Sequence, residues 1–335
     1  MYLKKKIIIS SIVLISLFIF FFVIPLIVAK KINDSIFKKR SEPKEELKLS
    51  VDDFPNLKAE KITFNSSNDD LLQGYLYSSD TITPKGVVIY AHGFGCGGTS
   101  HTMMFADFFV SQDYYYFTYD ATANGMSEGT NQKGLVTGVL DLDKAISCVE
   151  KNEELKDYPI MLLGHSWGGY SVGAVLNMHP EIKAICSISG FNNPNSQMIY
   201  SAKKKAGSFL INISSPYMKL YEKMIFHSNY NLNVIDGVNN SNCNCLFIHS
   251  EDDDVVGISL GYNKYLKEFK DNKRVSFKHY DDRGHGYIFL NDEARTMATA
   301  YSKEGKPFDK ELYINGLDLD MFNEILELYN NSLNN

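Results

Sequence analysis

"PIMLLGHSWGGYSVGAVL", residues 159–176, decides how the rest of the chain is read. "PIMLLG" is an apolar run of strand length, "YSVGAVL" suits a helix, and Gly164-His165-Ser166-Trp167-Gly168 joins them. A sharp turn from strand to helix presses together the backbones two residues either side of its apex, and glycine leaves the room. The turn sets Ser166 at the N-terminus of the helix, where the dipole favours developing negative charge. G-x-S-x-G alone arises by chance in roughly one chain in ten of this length, so the flanking strand and helix carry the weight.

A serine hydroxyl attacks poorly until a base takes its proton, so a histidine and an orienting acid are sought downstream. Two later apolar runs end in suitable loops. "CLFIHS" (245–250) leads into "EDDDVV", and "RVSFKHY" (274–280) leads into "DDRGHG". His285 lies between Gly284 and Gly286, free to reach inward. His279 sits within the strand run and reads as a packing or surface residue. His165, adjacent to the serine, is expected to point away at the turn. Asp252, Asp253 and Asp254 are all candidates for the acid, and their run lacks the alternating spacing of a calcium loop.

The same rhythm extends through the chain. "GVVIYA" (86–91), "YYYFTY" (114–119) and "AICSIS" (184–189) alternate with helix-length segments, as parallel strands buried on both faces do. "KITFN" and "LLQGYLY" before them, separated by "SSNDD", suggest an antiparallel pair at a sheet edge. The expected fold is α/β, a mostly parallel doubly wound sheet with antiparallel N-terminal strands. The interval 191–241 breaks the rhythm with two helical stretches, "SQMIYSAKKKAGSFLI" and "SPYMKLYEKMIFH". It reads as a helical lid over the site, against a plain helical insertion with a solvated basic face.

"YAHGFGCGG" (90–98) admits two readings. Gly93, Gly95 and Gly98 fit G-x-G-x-x-G and Asp120 follows, the outline of a dinucleotide site. However, Thr99 and Ser100 are good helix N-caps, which places Gly98 before the helix and not inside it. His92-Gly93 at a strand end instead suits half of an oxyanion hole.

From about Lys61 onward the chain resembles the α/β-hydrolase family, in particular bacterial membrane-anchored members near the serine aminopeptidase and esterase group. The resemblance implies a Ser166, Asp253, His285 triad. The family's H-G-x-x-D-x-x-V pattern, laid on "HSEDDDVV", selects Asp253 with His249 and Val256 flanking, although Ser250 replaces the usual glycine. It implies oxyanion donors in the backbone amides of Phe94 and Trp167, with His92, Gly93, Gly164 and Gly168 as turn residues. The family's D-x-R-G-x-G-x-S-x-G loop reads "DATANGMSEG" here, with Thr122 and Ala123 in place of arginine and glycine. Asp120 is then a structural residue of that loop. No metal or organic cofactor is implied. Cys243-x-Cys245 alone is a weak zinc signal, and the five cysteines read as unpaired thiols.

The N-terminus differs from the rest. Ile7–Ala29 is 23 residues without a charge, enough to rise roughly 34 Å as a helix. Residues 1–30 read as a retained transmembrane anchor, since a cleaved signal has a shorter apolar region and a small-x-small site. Residues 31–60 read as a charged tether and 61–335 as the hydrolase domain. The domain is expected outside the cytoplasm, although Lys30, Lys31, Lys38, Lys39 and Arg40 beyond the span oppose that orientation. Residues 41–335 carry 26 basic and 39 acidic side chains, a balance of −13 that repels nucleic acid.

The expected activity is a serine hydrolase cleaving a carboxylic ester of a small or lipid-like acyl substrate. A thioesterase or an aminopeptidase could use the same residues. A non-catalytic ligand-binding protein of the same fold is the alternative of another class.

Overall fold

Each apolar run becomes a strand of one eight-stranded sheet in the computed structural model, which describes residues 2–43, 49–99, 102–306 and 309–333. The strands are β1 (Lys58–Asn65), β2 (Leu71–Ser78), β3 (Val87–Ala91), β4 (Tyr115–Tyr119), β5 (Ile160–His165), β6 (Ala184–Ile188), β7 (Asn244–Ser250) and β8 (Val275–Tyr280). Their order is β1-β2-β4-β3-β5-β6-β7-β8. β2 runs antiparallel to both neighbours, and every later pairing is parallel. From β3 the chain goes to β4 on one side and then to β5 on the other. That reversal opens a crevice at the carboxyl ends of β3 and β5.

Helices cover both faces. α1 (Tyr2–Phe18), a π turn (Ile19–Val23) and α2 (Ile24–Phe37) form the N-terminal helix. α3 (Met103–Ser111), α4 (Thr137–Lys151) and α5 (Trp167–Ala174) follow among the first strands. α6 (Pro194–Ala206), α7 (Ser208–Phe226) and α8 (Val234–Asn239) fill the interval between β6 and β7. α9 (Tyr262–Phe269), α10 (Asp292–Glu304), α11 (Lys310–Asn315) and α12 (Leu319–Leu333) complete the chain. In β3, Val87, Ile89 and Ala91 face the core shared with α4, α5 and α9, while Val88 and Tyr90 face the core shared with α3 and α12. Both faces are buried, which is why the runs are continuously apolar and do not alternate.

The helix expected to begin after Thr99 and Ser100 starts at Met103, and Ser100 lies outside the described residues. In the inserted interval the first helix breaks at Gly207 (φ 81°), and Pro216 lies inside α7. Proline at 216 leaves the Asn212 carbonyl without its amide, and the Ser215 hydroxyl donates to it at 3.1 Å.

Among the described residues one helix, Lys4–Phe37, is long and apolar enough to cross a membrane, as an anchor or a signal sequence would be. The expected tether beyond it is bonded to the domain along part of its length. The Arg40 guanidinium donates to the carbonyls of Gly125, Ser127 and Gly129 at 2.7–2.8 Å. Leu49, Phe54 and Leu57 are buried in the core. Residues 44–48 lie outside the described residues.

Candidate active site

The site assembles at the carboxyl edge, beginning with the turn after β5. Ser166 has φ 59° and ψ −113°, a strained backbone that costs about 1–3 kcal/mol and persists only where its surroundings enforce it. Two contacts enforce it here. The Ser166 amide donates to the Ile188 carbonyl at 2.8 Å, and the flanking glycines permit close packing. A Cβ on Gly164 would lie 2.2 Å from the Gly168 carbonyl oxygen, and one on Gly168 would lie 1.8 Å from that of Ala91. Trp167 opens α5, with its indole donating to the Leu135 carbonyl at 2.6 Å.

Asp253 lies in the turn after β7 with its side chain fully buried. One oxygen accepts the amides of Val255 and Val256 at 3.0 and 2.8 Å, and the other faces His285 Nδ1 at 2.7 Å. His285 Nε2 lies 2.9 Å from the Ser166 hydroxyl. Since a carboxylate accepts from Nδ1–H, Nε2 is left to accept from the serine. Burial pushes the Asp253 carboxyl up, but His249, His285 and the Val256 amide overcome it and hold it well below the usual carboxylate range. His249 is the contributor that the sequence used only to set register. From beneath the turn its Nε2 lies 2.9 Å from the Val256 carbonyl and 3.3 Å from Asp253.

The neighbouring acids take other partners. Asp252 accepts the Gly284 amide at 2.8 Å and the Ser250 hydroxyl at 2.6 Å, and Ser250 also accepts the Arg283 amide at 2.8 Å. Ser250 and Asp252 thus tie the end of β7 to the loop that carries His285, which gives the serine at the family's glycine position a role. The Asp254 backbone carbonyl accepts Lys204. His279 is partly exposed and bonds Glu251 at 3.2 Å, a surface residue as expected. His165 departs from expectation. It turns towards the His285 loop, with Nε2 3.0 Å from the His285 carbonyl and ring centroids 4.9 Å apart.

The loop after β3 lies against the serine. A Cβ on Gly93 would sit 3.5 Å from that of Ser166. The Ala121 amide donates to His92 Nε2 at 3.0 Å, which requires a lone pair there and leaves the proton on Nδ1. His92 Nδ1 donates to the Gly93 carbonyl at 2.8 Å, and the Cys96 thiol donates to the same oxygen. In a trans peptide C=O and N–H point opposite ways, so these two donors fix the direction of the Phe94 amide. No local pattern marks Cys96 for this contact beyond its place four residues after His92. The dinucleotide outline fails on Asp120, whose oxygens are taken by the Thr99 and Met126 amides at 3.0 and 2.9 Å.

A cavity of about 250 Å³ opens beside Ser166 and His285, walled by Phe94, Tyr287, Phe289 and Tyr313 and edged by Glu42 and Pro43. Cys243 and Cys245 are buried, and their thiols bond backbone carbonyls.

Sheet order, sharp serine turn and cavity together define the α/β-hydrolase class. Residues 82–243, a little under half of the chain, match the family model described as serine aminopeptidase, S33. The chain has the α/β-hydrolase fold, and the match to that family model together with the likeness to esterases and peptidases supports an α/β-fold serine hydrolase. Its fold is similar to that of the Pyrococcus furiosus esterase Pf2001, at 17% identity and a TM-score of 0.58 over 80% of this chain and 98% of that one. It is also similar to the Pyrococcus horikoshii acylaminoacyl peptidase, at 18% identity and a TM-score of 0.54 over 77% of this chain and 40% of that one. A puromycin-hydrolyzing peptidase of Mycobacterium tuberculosis aligns at 15% identity and a TM-score of 0.53, over 69% and 36%. Comparison with curated proteins gives no match.

Proposed function

We propose that the chain cleaves carboxylic esters through an acyl-enzyme on Ser166, His285 and Asp253. The supporting observation is the unbroken line from the Ser166 hydroxyl through His285 to Asp253, at 2.9 and 2.7 Å. Ser166 attacks the carbonyl carbon while His285 Nε2 takes its proton. Buried Asp253, held ionised, stabilises the imidazolium and keeps Nδ1 protonated. The amides of Phe94 and Trp167 receive the tetrahedral oxyanion, each worth about 3–4 kcal/mol of barrier. His285 then protonates the leaving oxygen, and water attacks the acyl-enzyme with the same histidine as base.

The aromatic wall of the cavity supports an apolar acyl group. Helices α6 and α7 act as a lid, reaching the turn that holds Asp253 through Gln197, which donates to the Val255 carbonyl, and Lys204. The N-terminal helix remains attached as a membrane anchor, with the domain on the extracytoplasmic side. Ala29 is buried against the domain, a contact that cleavage at the end of residues 1–30 would remove.

One observation favours an aminopeptidase as the second reading. Glu42 edges the cavity and offers a carboxylate to a substrate α-amine. Rates of the full chain on p-nitrophenyl esters of increasing acyl length, beside aminoacyl amides, decide between them. Ester turnover that peaks at one chain length is expected, and negligible ester turnover beside active amide cleavage would sink the ester assignment. In that case Glu42→Gln lowers amide turnover.

A further inference from the structure

Helix α7 carries two apolar faces, although only one meets the domain. Ile211, Met218, Glu222 and Phe226 are buried against the body of the protein. On the other side Phe209, Ile213, Leu220 and Met224 recur at spacings of four, seven and four, with Leu210 beside them. They are 44–77% exposed. Soluble surfaces rarely show so continuous an apolar stripe without a partner.

The flank of that stripe touches the N-terminal helix at one informative atom. Pro25 has no amide to give the carbonyl of Phe21, four residues back. The Tyr217 hydroxyl of α7 donates to that carbonyl at 2.6 Å. Phe21 lies eight residues before Ala29, roughly 12 Å inside the end of the apolar stretch. In hydrocarbon a carbonyl orphaned by proline is satisfied by a neighbouring helix, a side chain or a local π adjustment, and here the Tyr217 hydroxyl supplies a donor.

We propose that α7 is embedded in the lipid bilayer beside the N-terminal helix, with its exposed stripe in the acyl-chain region. The occupant is lipid because the stripe continues the apolar surface of a helix that itself runs through the bilayer. Tyr217 latches the two helices where the backbone needs a donor. Lys219 and Lys223, on the edge of the stripe, have stems long enough to carry their ammonium groups to the headgroups. This inference rests on the membrane-anchor reading above.

Full-length chain in phosphatidylcholine vesicles with brominated acyl chains tests it. Phe209→Trp and Ile213→Trp replace exposed side chains, the native protein with only Trp167 gives the baseline, and Ile15→Trp reports the N-terminal helix. The expected result is that the added emission of all three variants falls by about half relative to unbrominated lipid, as for a helix seated in the acyl boundary. Quenching of Ile15→Trp with none at positions 209 and 213 overturns the proposal, placing the stripe in water or against a second copy. No quenching at position 15 instead removes the anchor reading, and the proposal with it.

Discussion

Asp253 and Asp120 are the same residue at matching places. Each lies at or just past the carboxyl end of a strand, each is buried, and each accepts two backbone amides. Their electrostatics diverge. At Asp120 burial outweighs the amides of Met126 and Thr99, and its carboxyl sits above the ordinary range. At Asp253 two histidines are added, and the carboxyl falls well below it. Backbone amides can hold a buried aspartate in place, but the two imidazole partners keep this one charged. The comparison can be broken by exchanging either charge for an amide.

Asp253→Asn should lower kcat/KM by about 10⁴-fold, because an amide lets His285 adopt the wrong tautomer. Steady-state ester kinetics check this, and a loss below tenfold would remove Asp253 from the mechanism. Next in size is the loop after β3, proposed to supply an oxyanion donor. His92→Ala takes one donor from the Gly93 carbonyl, and kcat should fall about 10²-fold, while Phe94→Ala keeps its amide and should cost under tenfold. Equal losses would mean that the Phe94 side chain matters more than its amide. Asp120→Asn should leave kcat within about tenfold of native while costing about 1–3 kcal/mol of stability, since an acceptor of two amides gains a misplaced donor. Denaturant unfolding measures that cost.

The smallest effect is a pair of pH slopes with opposite signs. Asp253, depressed, gives stability that is fully present above its unfolded pKa of about 3.9 and is lost as pH falls below it. Asp120, raised, gives stability present below that value and lost as pH rises through its higher folded pKa. Thermal midpoints of the full chain at stepped pH should show the acid limb shrink in Asp253→Asn. The decline above about pH 4 should shrink in Asp120→Asn. Slopes of the same sign in both variants would contradict the assignment.

The strands were legible because burial on both faces writes itself as an unbroken apolar run. The serine turn was legible because its close backbones leave glycines in the sequence. Much of the rest depends on contacts between residues far apart, which no local pattern encodes. Arg40 looked like one charge in a tether, yet it donates to three carbonyls more than eighty residues away. Those carbonyls belong to the loop that lacks the family's arginine. Pro216 lies inside α7, where Ser215 satisfies the carbonyl that it orphans and the helix runs on. His165 was expected to turn aside, and only the fold reveals that the His285 loop waits on that side.

The central claim is that Ser166 is a nucleophile activated by His285. Labelling of the folded full chain with a fluorophosphonate probe tests it most directly. The account predicts a single adduct at Ser166, absent from Ser166→Ala. A folded native chain that resists the probe, or labelling that survives in Ser166→Ala, would contradict it.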